Sequence, residues 1–137
     1  MNLGFDNFIG NSLDLIRTLL VCDVKVIHLW SGIPGDGTCG RSVIARDVFY
    51  TLGGHDESFY PADHEDIDLL KRARKSGISV EHCPCVADSA LKNTKEEGMR
   101  YYSLKKGMTW KECVRSNRQA SDRNILVKRL TANRDTE

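Results

Sequence analysis

The sequence predicts an α/β domain: a mixed sheet with flanking helices and a helical C-terminal region. Three observations carry that expectation. Short runs rich in β-branched and bulky apolar residues, at 23–30, 42–45 and 78–82, alternate with segments whose apolar residues recur at helical spacing. Glycine-bearing turns separate most of these runs. Beyond Ala87 the chain becomes polar and keeps a helical pattern. At 137 residues there is room for a single core and little more.

Taken in order, residues 11–20 place Leu13, Ile16, Leu19 and Leu20 on one helical stripe. Residues 23–30 follow as a strand, because Val24, Val26, Ile27, Leu29 and Trp30 favour a pleated, half-buried surface. The glycines and proline of 31–38 make that stretch a loop. A short strand is expected at 42–45 and a short helix at 46–52, stopped by Gly53-Gly54, where positive φ is cheap. Residues 63–76 give the clearest helix. Asp63 is its expected cap, Glu65 and Asp66 put negative charge on the positive end of the helix dipole, and Ile67, Leu69, Leu70 and Ala73 line one face. Lys71, Arg72, Arg74 and Lys75 sit toward its far end and Gly77 closes it. A strand at 78–82 comes next. Thr109 with Glu112 fits a capping box heading a helix toward Asn117, and a last helix is expected over 124–130.

Composition narrows function mainly by exclusion. Twenty Lys and Arg against nineteen Asp and Glu leave a net charge of +1, which provides no general field for nucleic acid or an anionic membrane. No run approaches the ~20 apolar residues of a membrane span, and an N-terminus with Asp6 and Asp14 but no basic cluster does not resemble a signal peptide. Five irregularly spaced cysteines favour reduced, mostly buried thiols over a disulfide framework, so a cytoplasmic location is expected.

The chemistry concentrates in 37–77. A Gly-rich loop (Gly37-Thr38-Cys39-Gly40-Arg41) precedes a tight Gly53-Gly54 turn with His55, Asp56 and Glu57, and then paired carboxylates, Glu65 and Asp66, at a helix start. A carboxylate held there is well placed as a general base, because its helix fixes it while its side chain can face a cleft formed by the preceding loop. The plainer alternative is that both acids only complement the helix dipole.

Leu52-Gly53-Gly54-His55-Asp56-Glu57 followed by Glu65-Asp66-Ile67-Asp68-Leu69-Leu70-Lys71-Arg72 and a closing Gly77 resembles the GT-A-fold glycosyltransferases, chiefly family two. It is also similar to the C-terminal catalytic region of the β-1,4-galactosyltransferases. In those families Gly-Gly-Phe-Asp-Glu, a spacer and Glu-Asp-x-Asp-Leu-x-x-Arg recur in this order; His55 stands where they carry an aromatic residue. The resemblance implies a partial GT-A domain, with residues 1–90 as its catalytic, acceptor-side portion and 91–137 as a helical extension. It implies an inverting transfer from a nucleotide-sugar donor to a glycan or other hydroxyl acceptor, with Asp66 as catalytic base and Glu65 on the acceptor or orienting the base. Gly53 and Gly54 would let backbone approach the sugar, Asp56 and Glu57 would shape the adjoining turn, and Arg41 would face the donor. Asp68 and Arg72 are expected to be structural, since successive helix positions turn by about 100° and Asp68 points away from Asp66.

The family also implies a divalent metal, Mn2+ or Mg2+, held by an Asp-x-Asp motif in a nucleotide-binding half. No Asp-x-Asp occurs among the 64 residues before Glu65, so that half is expected to be absent from this chain or highly diverged. A non-catalytic carbohydrate-binding or interaction module derived from such an enzyme is the alternative. His82 is the nearest candidate for a metal-ligating histidine after the catalytic helix. His82-Cys83-Pro84-Cys85 lacks the two-residue spacer of zinc knuckles, which favours buried thiols over a zinc site. Cys39 with His28, His55 or His64 as base is a rival nucleophile. The loop at 32–40 lacks the Gly-Lys-Ser/Thr ending of a phosphate-binding loop, and Tyr101, Tyr102 and Trp110 are more simply core residues than sugar platforms.

Overall fold

The computed structural model describes residues 13–60, 63–84 and 107–133. Over these the chain is mixed α/β, with a three-stranded sheet and four helices: α1 (Leu13–Val21), β1 (Val26–His28), β2 (Ser42–Ile44), α2 (Arg46–Thr51), α3 (Glu65–Lys75), β3 (Val80–His82) and α4 (Trp110–Leu126). The strand order is β2-β1-β3. β1 runs antiparallel to β2, with Ile27 opposite Val43, and parallel to β3, with Ile27 opposite Glu81. Tyr101, Tyr102 and Cys85 lie outside the described residues.

Central β1 is buried on both faces, and its pleat divides the core. Ile27 and Leu29 pack with Ile16 of α1, Val43 and Cys83. Val26 packs with Val48 and Leu52 around α2 and with Leu69, Leu70 and Ala73 of α3. One helix therefore covers one face of the sheet and two cover the other. No helix among the described residues is long and apolar enough to cross a membrane.

The elements follow the sequence closely, with four instructive differences. The strand expected at 23–30 pairs only over Val26–His28. The helix expected to be capped by Asp63 instead has His64 at its N-cap, in the left-handed region at φ 98°. Asp63 spends its carboxylate one position early: its Oδ1 accepts the His64 N–H at 2.8 Å. The two helices expected after Thr109 are one 17-residue helix, since no glycine or proline interrupts 110–126. Its capping box forms as expected, with Thr109 N–H donating to Glu112 Oε2 at 2.7 Å. Of the four described cysteines only Cys83 and Cys113 are buried, whereas Cys22 and Cys39 are exposed.

The Gly53-Gly54 turn ends α2 with both residues at positive φ, 73° and 71°. Such a pair is strained for any residue with a Cβ. Here space requires glycine as well: a methyl on Gly53 would overlap the carbonyl oxygen of Ala132 and lie 2.8 Å from its carbonyl carbon, while one on Gly54 would lie 3.2 Å from the Phe49 ring.

Candidate functional site

Asp66 is the second residue of α3, and its side chain is 23% exposed. Its Oδ2 sits so close to Gly40 that a methyl on Gly40 would overlap it and lie 3.2 Å from its Cγ. The Gly-rich loop and the start of α3 therefore meet, and glycine at 40 is the space into which the carboxylate is set. The other oxygen, Oδ1, lies 3.9 Å from Nε2 of His55, whose side chain is 32% exposed. Loop, turn and helix, read from the sequence as one chemical segment, thus converge on a carboxylate beside an imidazole.

Arg72 holds the turn against the helix. Its side chain and that of Asp68 are 1% and 0% exposed, and Nε donates to Asp68 Oδ2 at 2.7 Å. The remaining guanidinium nitrogens donate to the carbonyls of Leu52 at 2.5 Å and Gly54 at 2.7 Å. These carbonyls flank Gly53, so the planar donor fork fixes the backbone bend itself. Asp68 and Arg72 are accordingly structural, as their positions on the helix require.

The C-terminal part of the chain braces the same turn. Asn133 Nδ2 donates to the carbonyls of Gly53 at 2.8 Å and His55 at 2.6 Å, and its Oδ1 accepts the Glu57 N–H at 3.0 Å. Ala132 N–H donates to the Leu52 carbonyl at 2.9 Å. Asn117 on α4 bonds both the N–H and the carbonyl of Tyr60, each at 2.8 Å, and donates to the Asp63 carbonyl at 3.1 Å. These asparagines were missed by sequence reasoning, because a lone asparagine gives no local sign of a partner far along the chain.

The remaining candidates are distributed unevenly. Glu65 is half-buried at the first position of α3. Asp56 is 6% exposed and turned inward: Oδ1 accepts from Ser58 N–H at 3.0 Å and Ser58 Oγ at 2.6 Å, and Oδ2 from Asn124 Nδ2 at 3.2 Å. It shapes the chain after the turn, whereas Glu57 is exposed. Arg41, expected to face a donor, is 2% exposed; its backbone joins the loop to β1 through the Leu29 N–H to Arg41 carbonyl bond of 2.9 Å.

Cys39 makes a poor nucleophile. Although the residue is exposed, partial desolvation of its thiol, followed by the negative charges of Asp63, Asp66 and Asp36, pushes the thiol above the usual range, so it is protonated near neutral pH. His28 makes a poor base for it, since the ring Nε2 lies 2.8 Å from the Cys39 carbonyl and must carry the proton of that bond. Desolvation lowers the pKa of His28.

His82 lies at the end of β3, beside the parallel end of β1, where its ring meets His28 and Trp30 edge-on at centroid distances of 5.6 and 6.2 Å. Among the described residues no three His, Cys, Asp or Glu side chains gather so as to hold a metal ion. Among the described residues, neither His82 nor any other donor belongs to a set that would hold the divalent ion that the resemblance implies. Comparisons with family models, with curated proteins and with solved structures return no match for this chain.

Proposed function

We propose that the chain is the acceptor-side, catalytic portion of an inverting glycosyltransferase of the GT-A type, acting on a nucleotide-sugar donor and a hydroxyl acceptor. The proposal rests on Asp66. A general base must be held rigidly within reach of the proton that it takes. Here α3 fixes the backbone, Gly40 leaves room for one carboxylate oxygen, and the other oxygen lies 3.9 Å from His55 Nε2 on a side chain that is 23% exposed. The positive end of the helix dipole favours the negative charge at this position.

In the transfer, the O–H bond of the acceptor breaks and its proton passes to Asp66. The acceptor oxygen forms a bond to the anomeric carbon on the face opposite the leaving group. The bond from that carbon to the diphosphate oxygen breaks, and its electron pair stays on the nucleotide diphosphate. Attack from the opposite face inverts the anomeric centre.

The test is release of nucleotide diphosphate from UDP- and GDP-hexoses, with alkyl glycosides as acceptors. Asp66→Asn keeps the shape of the side chain and removes the base. It is expected to slow turnover by at least about 100-fold, the range of general-base contributions, with an unchanged urea midpoint. A fully active variant overturns the assignment. Calorimetric titration with UDP and Mn2+ addresses the alternative: no binding at millimolar ligand favours a non-catalytic carbohydrate-binding module.

A further inference from the structure

Resting on that reading of Asp66, we propose that Asn117 is its positioning residue: from α4 it fixes the peptide plane that sets where the first turn of α3, and with it the carboxylate, comes to rest. That plane is the peptide between Asp63 and His64. Its carbonyl accepts from Asn117 Nδ2 at 3.1 Å, and its N–H donates to Asp63 Oδ1 at 2.8 Å. With both polar groups held, the plane cannot turn without breaking a hydrogen bond. His64 is thereby held at φ 98°, in the left-handed region. A residue with a Cβ is uncommon there and stays only where its surroundings over-determine it.

Helix α3 grows from this residue. The His64 carbonyl accepts the Asp68 N–H at 2.9 Å, the bond that opens the helix. Asp66 lies within that opening turn, so its direction follows from the plane before it. The tolerance is narrow, because Asp66 Oδ2 already occupies the space that a methyl on Gly40 would take. A rotation of the Asp63–His64 peptide would swing the carboxylate against the Gly-rich loop or away from it.

Asn117 is built for a firm hold. It is 1% exposed, so bulk water does not compete for its amide. The same side chain bonds the N–H and the carbonyl of Tyr60, each at 2.8 Å, which anchors the chain at a second point ahead of the helix. Cys113 and Ser121, one turn away on either side, are buried as well, so this face of α4 is packed. An apolar residue would fill that face equally, but it could not orient the Asp63 carbonyl.

Kinetics of Asn117→Ala test the assignment, with Ile16→Ala as the control. Ile16 packs on the other face of the sheet, so its truncation destabilises the core without touching α3 or α4. With the same hexose donors and alkyl glycosides, kcat of Asn117→Ala is expected to fall by about 10- to 100-fold, the cost of a displaced reacting group. KM for the donor should stay constant, and Ile16→Ala should keep the wild-type kcat despite a lower urea midpoint. A wild-type kcat in Asn117→Ala, or an equal fall in both variants, overturns the positioning role. Either result beside an inactive Asp66→Asn leaves the general base standing, whereas a fully active Asp66→Asn overturns the base itself. Two readouts need no turnover. The amide resonance of Gly40 is expected to move in Asn117→Ala as it does in Asp66→Asn, and one that moves only in Asp66→Asn overturns the coupling. In the wild-type protein the Asn117 side-chain amide protons are expected to exchange with water more slowly than those of free asparagine; exchange at the free rate overturns the hold on Asp63.

Discussion

Asp66 occupies space that any residue other than glycine at position 40 would take from it. Gly40 is absent from the positive-φ residues, so its backbone suits alanine, and the added methyl would meet the carboxylate rather than strain the loop. Gly40→Ala is therefore expected to displace Asp66 and to lower transfer at least ten-fold, as small displacements of reacting groups do. Overpacking should destabilise the fold by only about 1–3 kcal/mol. Unchanged turnover, measured beside a urea melt, would mean that Asp66 acts from some other position or not at all. Residue identity was the most legible level of this site. Gly40, His55 and Asp66 all lie in the stretch that the sequence marks out, because short glycine turns and first-turn acids leave local signatures. The pairing of His55 with Asp66 and the inward turn of Asp56 were not legible, since both depend on how the turn sits against the helix.

Helix α3 and the Gly53-Gly54 turn behave as one element because Arg72 joins them. Replacing Arg72 with leucine leaves Asp68 as a buried, uncompensated charge, removes the guanidinium donor of the Gly54 carbonyl and leaves the Leu52 carbonyl with the Ala132 N–H. Breaking a buried pair from one side costs about 3–5 kcal/mol, against a total of about 5–15 kcal/mol for a whole domain. Arg72→Leu is expected to lower the urea unfolding free energy by that amount, and a loss under 1 kcal/mol would show that the fork is dispensable. The exposed Lys71–Asp122 pair at 2.8 Å makes the contrast, since removing it should change little. The helix boundaries were readable from charge, cap and glycine signals, and the i,i+4 spacing of Asp68 and Arg72 was visible too. The capture of the Leu52 and Gly54 carbonyls, 20 and 18 residues earlier, was not. The single long α4 was read as two helices because its polar middle lacks an apolar stripe, although nothing in it can stop a helix.

At the scale of the molecule, two sheltered histidines make stability depend on pH: His28, buried in β1, and His64, half-buried at the N-cap of α3. Burial lowers the pKa of both His28 and His64 below the ordinary 6.5. The unfolded chain therefore takes up these protons first as the pH falls, and the folded state loses stability as pH drops below about 6.5. The urea midpoint is expected to be lower at pH 5.5 than at pH 7.5, with His28→Gln flattening the difference; a midpoint that is flat in wild type would count against burial of the two rings. The α/β class was legible from the alternation of short apolar runs and amphipathic helices. The mixed sheet order was set by packing that no local pattern records. Ala132 and Asn133 rest on the bend that carries His55, 78 residues upstream of the Asn133 amide that holds it. Ala132 and Asn133 thus work as a latch on that bend: a protease cutting just ahead of Ala132 is expected to loosen it while leaving residues 37–77 uncut.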